Sequence, residues 1–266
     1  MRVMTDREFE LLKKKAMEVA GIEIPDMKRS ILELRISKRL REKNLKSVEE
    51  WLRYINFDKS EFDKFIDFIT VGETYFFRTE YQLDIFAEYI VPELKKHSFV
   101  KLWSAGCSTG AEPYTLAIIM LENGVRNFKV VGTDINAFAL QQAREGIYSK
   151  RAVDKVPSDL LKKYFEEKDN SWVVKPELKR YVEFKQLNLV DTTKMMLMRG
   201  FHTIFCRNVI IYFPLDVKKK VIRNFYFALE PGGFLILGHS ESLSNITTSF
   251  EVLHYKGAVV YRKPEE

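Results

Sequence analysis

Two glycines and an acid follow apolar, strand-like runs of this sequence, and they are well placed to bind a ligand. Gly106 and Gly110 come after the run 99–104, and Pro113 then opens an apolar helical run. A glycine-bearing turn between a strand and a helix lets a ligand approach the backbone closely. Asp134 ends the next apolar run, where a carboxylate can accept hydrogen bonds from ribose hydroxyls. The spacing therefore predicts a site for a nucleoside-containing ligand.

The glycine turn does not have the spacing of a dinucleotide site. It reads Gly106-Cys-Ser-Thr-Gly110 instead of GxGxxG, which disfavours a nicotinamide-dependent dehydrogenase. A structural role for Asp134 also stays open, because Asn136 and Ala137 follow it in the manner of a helix start.

Polar side chains also stand at the end of a later apolar run. Arg207 and Asn208 directly follow residues 203–206, and Tyr212 lies four residues beyond Asn208. Open α/β sheets bind ligands beside the carboxyl ends of their strands, so these side chains are candidates for the same site. Cys206, at the strand end, is interpreted as a small buried hydrophobe and not as a nucleophile.

Composition excludes several classes of protein. The 266 residues are 46% hydrophobic and 30% charged, which is ordinary for a globular chain of one large or two modest domains. Two cysteines and four scattered histidines argue against a disulfide framework and a metal site. The charged N-terminus has no signal-peptide core, and no apolar run approaches the roughly 18 residues of a membrane span. We expect a cytoplasmic protein with no metal and no membrane insertion.

Positive charge is concentrated in one segment. The chain has a net charge of +6, and residues 28–46 alone carry eight basic and two acidic residues. This segment contains a predicted helix over 29–43, with apolar positions at Ile31, Leu32, Ile36 and Leu40. The excess predicts either an acidic partner or a plain solvated face.

The first part of the chain shows only helical spacing. Residues 5–70 predict four helices, and we assign residues 1–70 to a small all-α N-terminal domain. Residues 71–97 are predicted to be a linker helix that carries the sequence ETYFFR.

From residue 98 the sequence predicts an α/β fold. Apolar runs alternate with helical runs through 98–266, which is typical of a mostly parallel sheet with crossover helices, here of about seven strands. The last two runs, 250–255 and 257–262, are joined so tightly that they must pair antiparallel. The polar segment of about 148–180 is predicted to be a small inserted subdomain with a short helix at 158–165 and a short strand at 172–175.

Five sequence blocks together resemble the CheR-type chemotaxis receptor methyltransferases. They are ETYFFR (73–78), WSAGCSTGAEPYTLA (103–117), TDIN (133–136), FCRNVIIYF (205–213), and LEPGG with GHSES (229–242). The helical N-terminal region also has the family's layout, so the resemblance covers the whole chain. It implies a Rossmann-like, S-adenosylmethionine-dependent methyltransferase that esterifies glutamates on the cytoplasmic helices of chemoreceptors. A glutamate carboxylate is already anionic at neutral pH, which agrees with a sequence without a catalytic His, Cys or metal cluster.

The resemblance also implies roles for individual residues. The residues implied to bind S-adenosylmethionine, with S-adenosylhomocysteine as product, are Thr74, Arg78, Gly106, Glu112, Asp134, Asn188, Leu189, Asn208 and Val209. Asp134 is implied to hold the ribose, and Arg78 and Tyr212 to flank the methyl-transfer centre. The basic helix is implied to face the receptor, through Arg35, Lys38, Arg39 and Arg41.

Two positions depart from the family pattern. Gly72 stands where the family commonly has Asn, so one cofactor hydrogen bond is expected to be missing or replaced by backbone. Ala111 replaces the first of a usual Glu-Glu pair, and Glu112 remains. The insertion has no glycine between Ser149 and Arg180, which argues against docking of a receptor tail there.

Two other functions stay open at this point. A nucleic-acid methyltransferase would suit the basic pI of about 9.1, but the strand exit RNVIIYF lacks the Pro-Pro-aromatic tetrapeptide of adenine amino methylators. A non-catalytic S-adenosylmethionine-binding scaffold would use the same pocket, although retention of Arg78 and Tyr212 argues against it. We expect a monomer that binds a chemoreceptor helical bundle and no nucleic acid.

Overall fold

Four helices open the described part of the chain. The structure, a computed structural model, describes residues 4–266. Its first helices are α1 (Asp6–Ala20), α2 (Arg29–Glu42), α3 (Val48–Tyr54) and α4 (Lys59–Ile69), with a 3₁₀ turn (Asp26–Lys28) before α2. The amide of Glu8 donates to the hydroxyl of Thr5, and the amide of Thr5 donates to the carboxylate of Glu8. This capping box fixes the start of α1 at the predicted place.

The four helices enclose a core of their own, in which Trp51 and Phe65 are fully buried. The buried face of α2 is formed by Leu32, Ile36 and Leu40, which recur at intervals of four. Ile31 lies about 100° around the helix from Leu32 and is 50% exposed. Of the four apolar positions noted in the sequence, Ile31 is therefore the one outside the buried face.

The ETYFFR segment is not helical, contrary to the linker helix predicted for 71–97. The helix begins only with α5 (Glu80–Ile85) and continues through a π-helical turn (Phe86–Ile90) into α6 (Val91–Leu94). Phe77 and Thr79 have φ angles of 55° and 62°, in the left-handed region that interrupts a right-handed helix. The motif is therefore a folded loop in front of the helix.

The remainder of the chain alternates strands and helices. The strands are β1 (Val100–Ala105), β2 (Phe128–Asp134), β3 (Ile147–Ser149), β4 (Phe165–Lys168), β5 (Ser171–Val174), β6 (Val182–Gln186), β7 (Phe201–Cys206), β8 (Leu229–Leu237), β9 (Glu251–Tyr255) and β10 (Ala258–Arg262). The helices are α7 (Ala111–Glu122), α8 (Ala137–Glu145), α9 (Lys150–Val153), α10 (Ser158–Tyr164), α11 (Pro176–Lys179), α12 (Thr192–Met195) and α13 (Leu215–Ala228). Within residues 4–266, none of the helices combines the length and apolar character needed to cross a membrane.

Seven strands form the main sheet in the order β6-β2-β1-β7-β8-β10-β9. The first five are parallel, and β10 runs antiparallel to both β8 and β9. The prediction of a mostly parallel sheet of about seven strands with an antiparallel end is thus confirmed. From β1 the chain continues to β2 and then β6 on one side of β1, and it returns to form β7 on the other side. The strand order therefore reverses between β1 and β7, which opens a crevice at their carboxyl ends.

Both faces of the sheet are buried, because successive side chains of a strand point to opposite faces. Val130 faces a core that includes Phe86 of the π-helical turn, whereas Val131 faces a core that includes Phe225 of α13. The sheet is therefore a rigid layer between helices, and its carboxyl edge is a fixed platform.

The inserted segment forms a second sheet, in the order β3-β5-β4. The sequence predicted a short helix at 158–165 and a strand at 172–175, which correspond to α10 and β5. It did not predict β3 or β4, since β3 has only three residues and β4 is largely charged. Both strands depend on pairing with β5, which local patterning does not reveal.

Candidate active site

An open cleft of about 1050 Å³ lies at the carboxyl edge of the sheet, at the crevice beside β1. The segments that follow β1, β2, β6 and β7 line it, together with the ends of α1 and α4 and the loop before α5. The cleft brings together every residue predicted to bind cofactor, namely Thr74, Arg78, Gly106, Glu112, Asp134, Asn188, Leu189, Asn208 and Val209, and also Tyr212.

The turn after β1 packs tightly against the end of β7. Gly106 has a φ angle of 79°, and a Cβ at this position would overlap the side chain of Val209. The amides of Gly106 and Cys107 both donate to the carbonyl of Thr133, at 2.8 and 2.9 Å. Glycine is therefore required at 106 by conformation and by space, as the sequence suggested.

Asp134 is held as an acceptor at the edge of the cleft. The amide of Ser108 donates to its Oδ2 at 2.7 Å, and the amide of Asn136 donates to its Oδ1 at 2.8 Å. Burial raises the pKa of Asp134, and these amide bonds act in the opposite direction. The N-cap of α8 is Asn136, whose side chain accepts from the amides of Phe138 and Ala139. Asp134 is therefore not needed as the helix cap.

A buried arginine, Arg207, joins three parts of the site. Its Nε donates to Glu112 Oε2 at 2.6 Å, and its Nη1 donates to the backbone carbonyl of Arg78 at 2.8 Å and to Gln82 Oε1 at 3.3 Å. Ser104 donates to the other oxygen of Glu112 at 2.6 Å. The sequence made Arg207 a candidate for the site, but its pairing with Glu112 and Gln82 was not predicted, although an arginine directly after a buried strand is a signal for a paired charge.

Glu241, within the GHSES block, organises the loop after β7. Its carboxylate accepts from the amides of Asn208 (2.8 Å), Val209 (2.9 Å), Ile211 (3.2 Å) and Gly238 (2.7 Å). Asn208 has a φ angle of 59°, an unusual conformation that these bonds stabilise. The sequence marked the block as distinctive but gave no role to Glu241, because the loop and the acid meet only in the folded chain.

Arg78 and Tyr212 line the same cleft. Nη1 of Arg78 donates to the carbonyl of Glu73 at 2.9 Å, which folds the ETYFFR loop on itself. Burial raises the pKa of Tyr212, and the charge of Arg78 acts in the opposite direction. The phenol is therefore a neutral hydrogen-bond donor at physiological pH.

The helical N-terminal region forms one wall of the cleft. Nδ2 of Asn188 donates to the carbonyl of Val19 at 2.7 Å, and the amide of Glu23 donates to the carbonyl of Tyr212 at 2.8 Å. The side chain of Asn188 is thus engaged with α1 and also accepts from the amide of Val190 at 3.2 Å. The bonds to Val19 and Tyr212 connect the helical region to both sides of the cleft.

The residues predicted to bind substrate lie outside the cleft, on α2. Arg35, Lys38 and Arg41 are exposed. Arg39 is different, because it pairs with the fully buried carboxylate of Glu61, which also pairs with Lys43 at 2.9 Å. The structure thus gives Arg39 a role in the core of the helical region, which the sequence spacing did not predict.

Neither cysteine suits a nucleophilic role. Cys107 and Cys206 are both buried and free. Burial raises the pKa of both thiols well above their usual value, so the reactive thiolate is disfavoured. This agrees with the interpretation of Cys206 as a small hydrophobe.

Comparison with known proteins identifies relatives over nearly the whole chain. The family profile "CheR methyltransferase, SAM binding domain" matches residues 72–259, and "CheR methyltransferase, all-alpha domain" matches residues 7–70. The chain is 32% identical to "Chemotaxis protein methyltransferase 2" of Vibrio cholerae, over 99% of this chain and 95% of that protein. It is 35% identical to "Chemotaxis protein methyltransferase" of Borreliella burgdorferi, over 90% of this chain and 89% of that protein.

Proposed function

The chain belongs to the CheR methyltransferase family, and from this premise we propose that it methylates glutamate side chains on the cytoplasmic helices of chemoreceptors. The observation that carries the proposal is the meeting of two groups in one cleft. Asp134 and its surroundings suit a nucleoside, and Arg78 with Tyr212 suits a carboxylate. The protein acts, in this proposal, as a monomeric cytoplasmic enzyme.

The residues of the cleft fit S-adenosylmethionine. Asp134 is an acceptor for ribose hydroxyls at the end of β2, as expected for a nucleoside in this class of sheet. Ile135, Leu187 and Leu189 offer apolar surface suited to a purine ring. Glu112, although paired with Arg207, contributes negative charge suited to the cationic methionine end.

The reaction needs no general base. When bound, S-adenosylmethionine supplies an electrophilic methyl group on a positively charged sulfur. A glutamate has a reference pKa of about 4.3, so its carboxylate is already a nucleophile at neutral pH. The task of this chain is therefore to orient that carboxylate and to exclude water.

Arg78 and Tyr212 are the groups we propose for that orientation. A guanidinium can hold a carboxylate through two hydrogen bonds, and a neutral phenol can donate one. Arg207 donates a hydrogen bond to the backbone carbonyl of Arg78. Glu241 accepts one from the amide of Ile211, in the loop that leads to Tyr212. The two orienting side chains thus belong to segments that are each fixed by a buried or half-buried charge.

The basic face of α2 is proposed to attract the acidic receptor. Arg35, Lys38 and Arg41 are exposed there, and the surrounding segment holds the net positive excess of the chain. Attraction between exposed charges is screened by salt, so receptor methylation should weaken as ionic strength rises.

Transfer of radiolabelled methyl from S-adenosylmethionine to a receptor cytoplasmic fragment tests the proposal. We expect label on the receptor that is released by mild base, as esters are, and an Arg78→Ala variant that loses at least about tenfold in rate while it still binds S-adenosylmethionine. Tight cofactor binding with no label on receptor would support a scaffold instead. Base-stable label on RNA would support a nucleic-acid methyltransferase.

A further inference from the structure

A row of apolar side chains is exposed along the outer face of α2. Met27 is 88% exposed, Ile31 50% and Leu34 54%. They follow one another at intervals of four and three, so they lie on one side of the helix and of the 3₁₀ turn before it. Single exposed apolar residues are ordinary, but three in line on one helix are a mark of an interaction surface. We call Met27, Ile31 and Leu34 the apolar row.

The apolar row starts beside the reaction centre. Lys28, the neighbour of Met27, has its Nζ 5.2 Å from the ring centroid of Tyr212. The strand-like segment before it is also bound there, since the amide of Glu23 donates to the carbonyl of Tyr212 at 2.8 Å. The row is about 10 Å long, or two helical turns.

Basic side chains continue the same face. Lys38 lies four residues after Leu34 and therefore one turn further along the same side. Arg35 lies beside the row, with Nη1 3.5 Å from the carbonyl of Phe68, and Arg41 is exposed in the last turn of α2. A partner that follows this face meets apolar surface near Tyr212 and positive charge beyond it.

We propose that the apolar row is the docking site for one amphipathic, acidic helix of the protein substrate. Its apolar side chains pack on Met27, Ile31 and Leu34, and its carboxylates approach Arg35, Lys38 and Arg41. The inference rests on the proposed function and adds to it that the receptor is held by apolar contact as well as by charge.

A helix suits this surface better than an extended segment. The apolar row has the length and spacing with which two helices pack side chains into each other's grooves. A helix also repeats every 3.6 residues, so it can place an apolar residue on the row and a glutamate near Tyr212 from one face. The register of this contact selects which glutamate enters the cleft.

Kinetics with a receptor cytoplasmic fragment separate this contact from the charged one. We expect the double variant Ile31→Ser/Leu34→Ser to raise the KM for the fragment about tenfold, because apolar surface is no longer buried there. The affinity for S-adenosylmethionine and the kcat at saturating fragment should stay unchanged. The ratio between variant and wild type should persist at high salt, which does not screen apolar contact.

Matched controls make the result specific. Phe227 on α13 is 49% exposed and lies where α13 leads into β8, at the opposite edge of the sheet from the cleft. Phe227→Ser should leave the KM for the fragment unchanged. Lys38→Ala/Arg41→Ala should raise that KM at low salt and approach wild type at high salt.

Two results would overturn the docking proposal. They are an unchanged KM in the Ile31→Ser/Leu34→Ser variant and an equal effect of Phe227→Ser. Failure of the wild type to methylate the fragment is a separate result, because it would overturn the proposed function itself.

Discussion

Glu241 is a central residue of the site, although it carries no chemistry there. One carboxylate accepts from four backbone amides in two segments, and two of those amides belong to the cleft-lining residues Asn208 and Val209. A Cβ on Gly238 would lie 2.5 Å from this carboxylate and 2.8 Å from the amide of Asn208. The carboxylate of Glu241 and the absence of a side chain at Gly238 together determine the conformation of the loop between β7 and Tyr212.

We predict that Glu241→Gln weakens S-adenosylmethionine binding and methyl transfer by about 10- to 100-fold. An amide has one acceptor oxygen, so its NH₂ would face amides that now donate to the carboxylate, at a cost of about 1–3 kcal/mol for each buried donor left unpaired. Calorimetric titration and initial rates measure the effect, with the KM for receptor as internal control. Wild-type affinity and rate in the variant would contradict this role.

Gly72 has no side chain that could donate a hydrogen bond to the cofactor, whereas the family commonly has Asn at this position. Its carbonyl accepts from the hydroxyl of Ser108 at 3.2 Å, and the residue lines the cleft. A Cβ at position 72 would have only the Ser108 hydroxyl within 4 Å, at 3.7 Å. The position has room for a side chain.

Gly72→Asn is therefore expected to tighten S-adenosylmethionine binding by about 3- to 10-fold, the equivalent of one added hydrogen bond of about 0.5–1.5 kcal/mol. The dissociation constant measured by titration tests it, with Gly72→Ala as the control for a side chain that cannot hydrogen-bond. Equal affinities of the Asn and Ala variants would show that the amide makes no contact with the cofactor.

At the scale of elements, the sequence could predict those that follow a local pattern. The four N-terminal helices have apolar residues at helical spacing, and β1, β2, β7 and β8 of the main sheet are largely buried apolar runs. The ETYFFR loop could not be predicted, because tertiary bonds decide its shape. The amide of Phe76 donates to the carbonyl of Ala152, and the amide of Phe77 donates to the hydroxyl of Thr115.

The residues of the candidate site likewise divide into those with a local sequence signal and those placed by tertiary contacts. The glycine turn and Asp134 follow strand ends, which is a local signal, and they lie in the cleft as the spacing indicates. The use of Arg39 in the helical core could not be predicted, because its partner Glu61 lies 22 residues away on α4. Glu241 is likewise remote in sequence from the loop it holds.

The ion pairs that join α2 and α4 predict how stability depends on pH. Glu61 is fully buried, and burial alone would raise its pKa, but hydrogen bonds from Arg39, Lys43 and Trp51 lower it from 4.5 to about 2. The folded-state pKa is below the unfolded one, so this group stabilises the fold above about pH 4.5. That stabilisation is lost as the pH falls toward 2.

Glu61→Gln is expected to lower the free energy of unfolding at neutral pH by about 2–3 kcal/mol, since it removes the buried carboxylate that pairs with the partly buried Arg39 and Lys43. The loss should shrink as the pH falls from about 4.5 toward 2, where the wild-type carboxyl also becomes neutral. Urea unfolding across this pH range measures it. Glu177→Gln, an exposed change in the insertion, is the control, and a pH-independent loss at position 61 would contradict the account.

At the scale of the whole molecule, the helical region and the sheet share one function. The sheet carries the floor of the cleft and the helical region closes one wall, and in the proposed function the helical region also presents α2 to the substrate. The bonds from Asn188 to Val19 and from Glu23 to Tyr212 fix the two parts across the cleft. In the docking we propose, the direction of α2 relative to Tyr212 sets how a receptor helix would meet the cleft.

The measurement that tests the central claim most directly is the location of the transferred methyl group. A chemoreceptor cytoplasmic fragment is incubated with this protein and S-adenosylmethionine and then analysed by tandem mass spectrometry. We predict methyl esters on glutamate side chains alone, and at least about tenfold less ester in the same time with Arg78→Ala. Methyl groups on lysine or on another side chain, or an unmodified receptor beside a protein that binds S-adenosylmethionine tightly, would contradict the account.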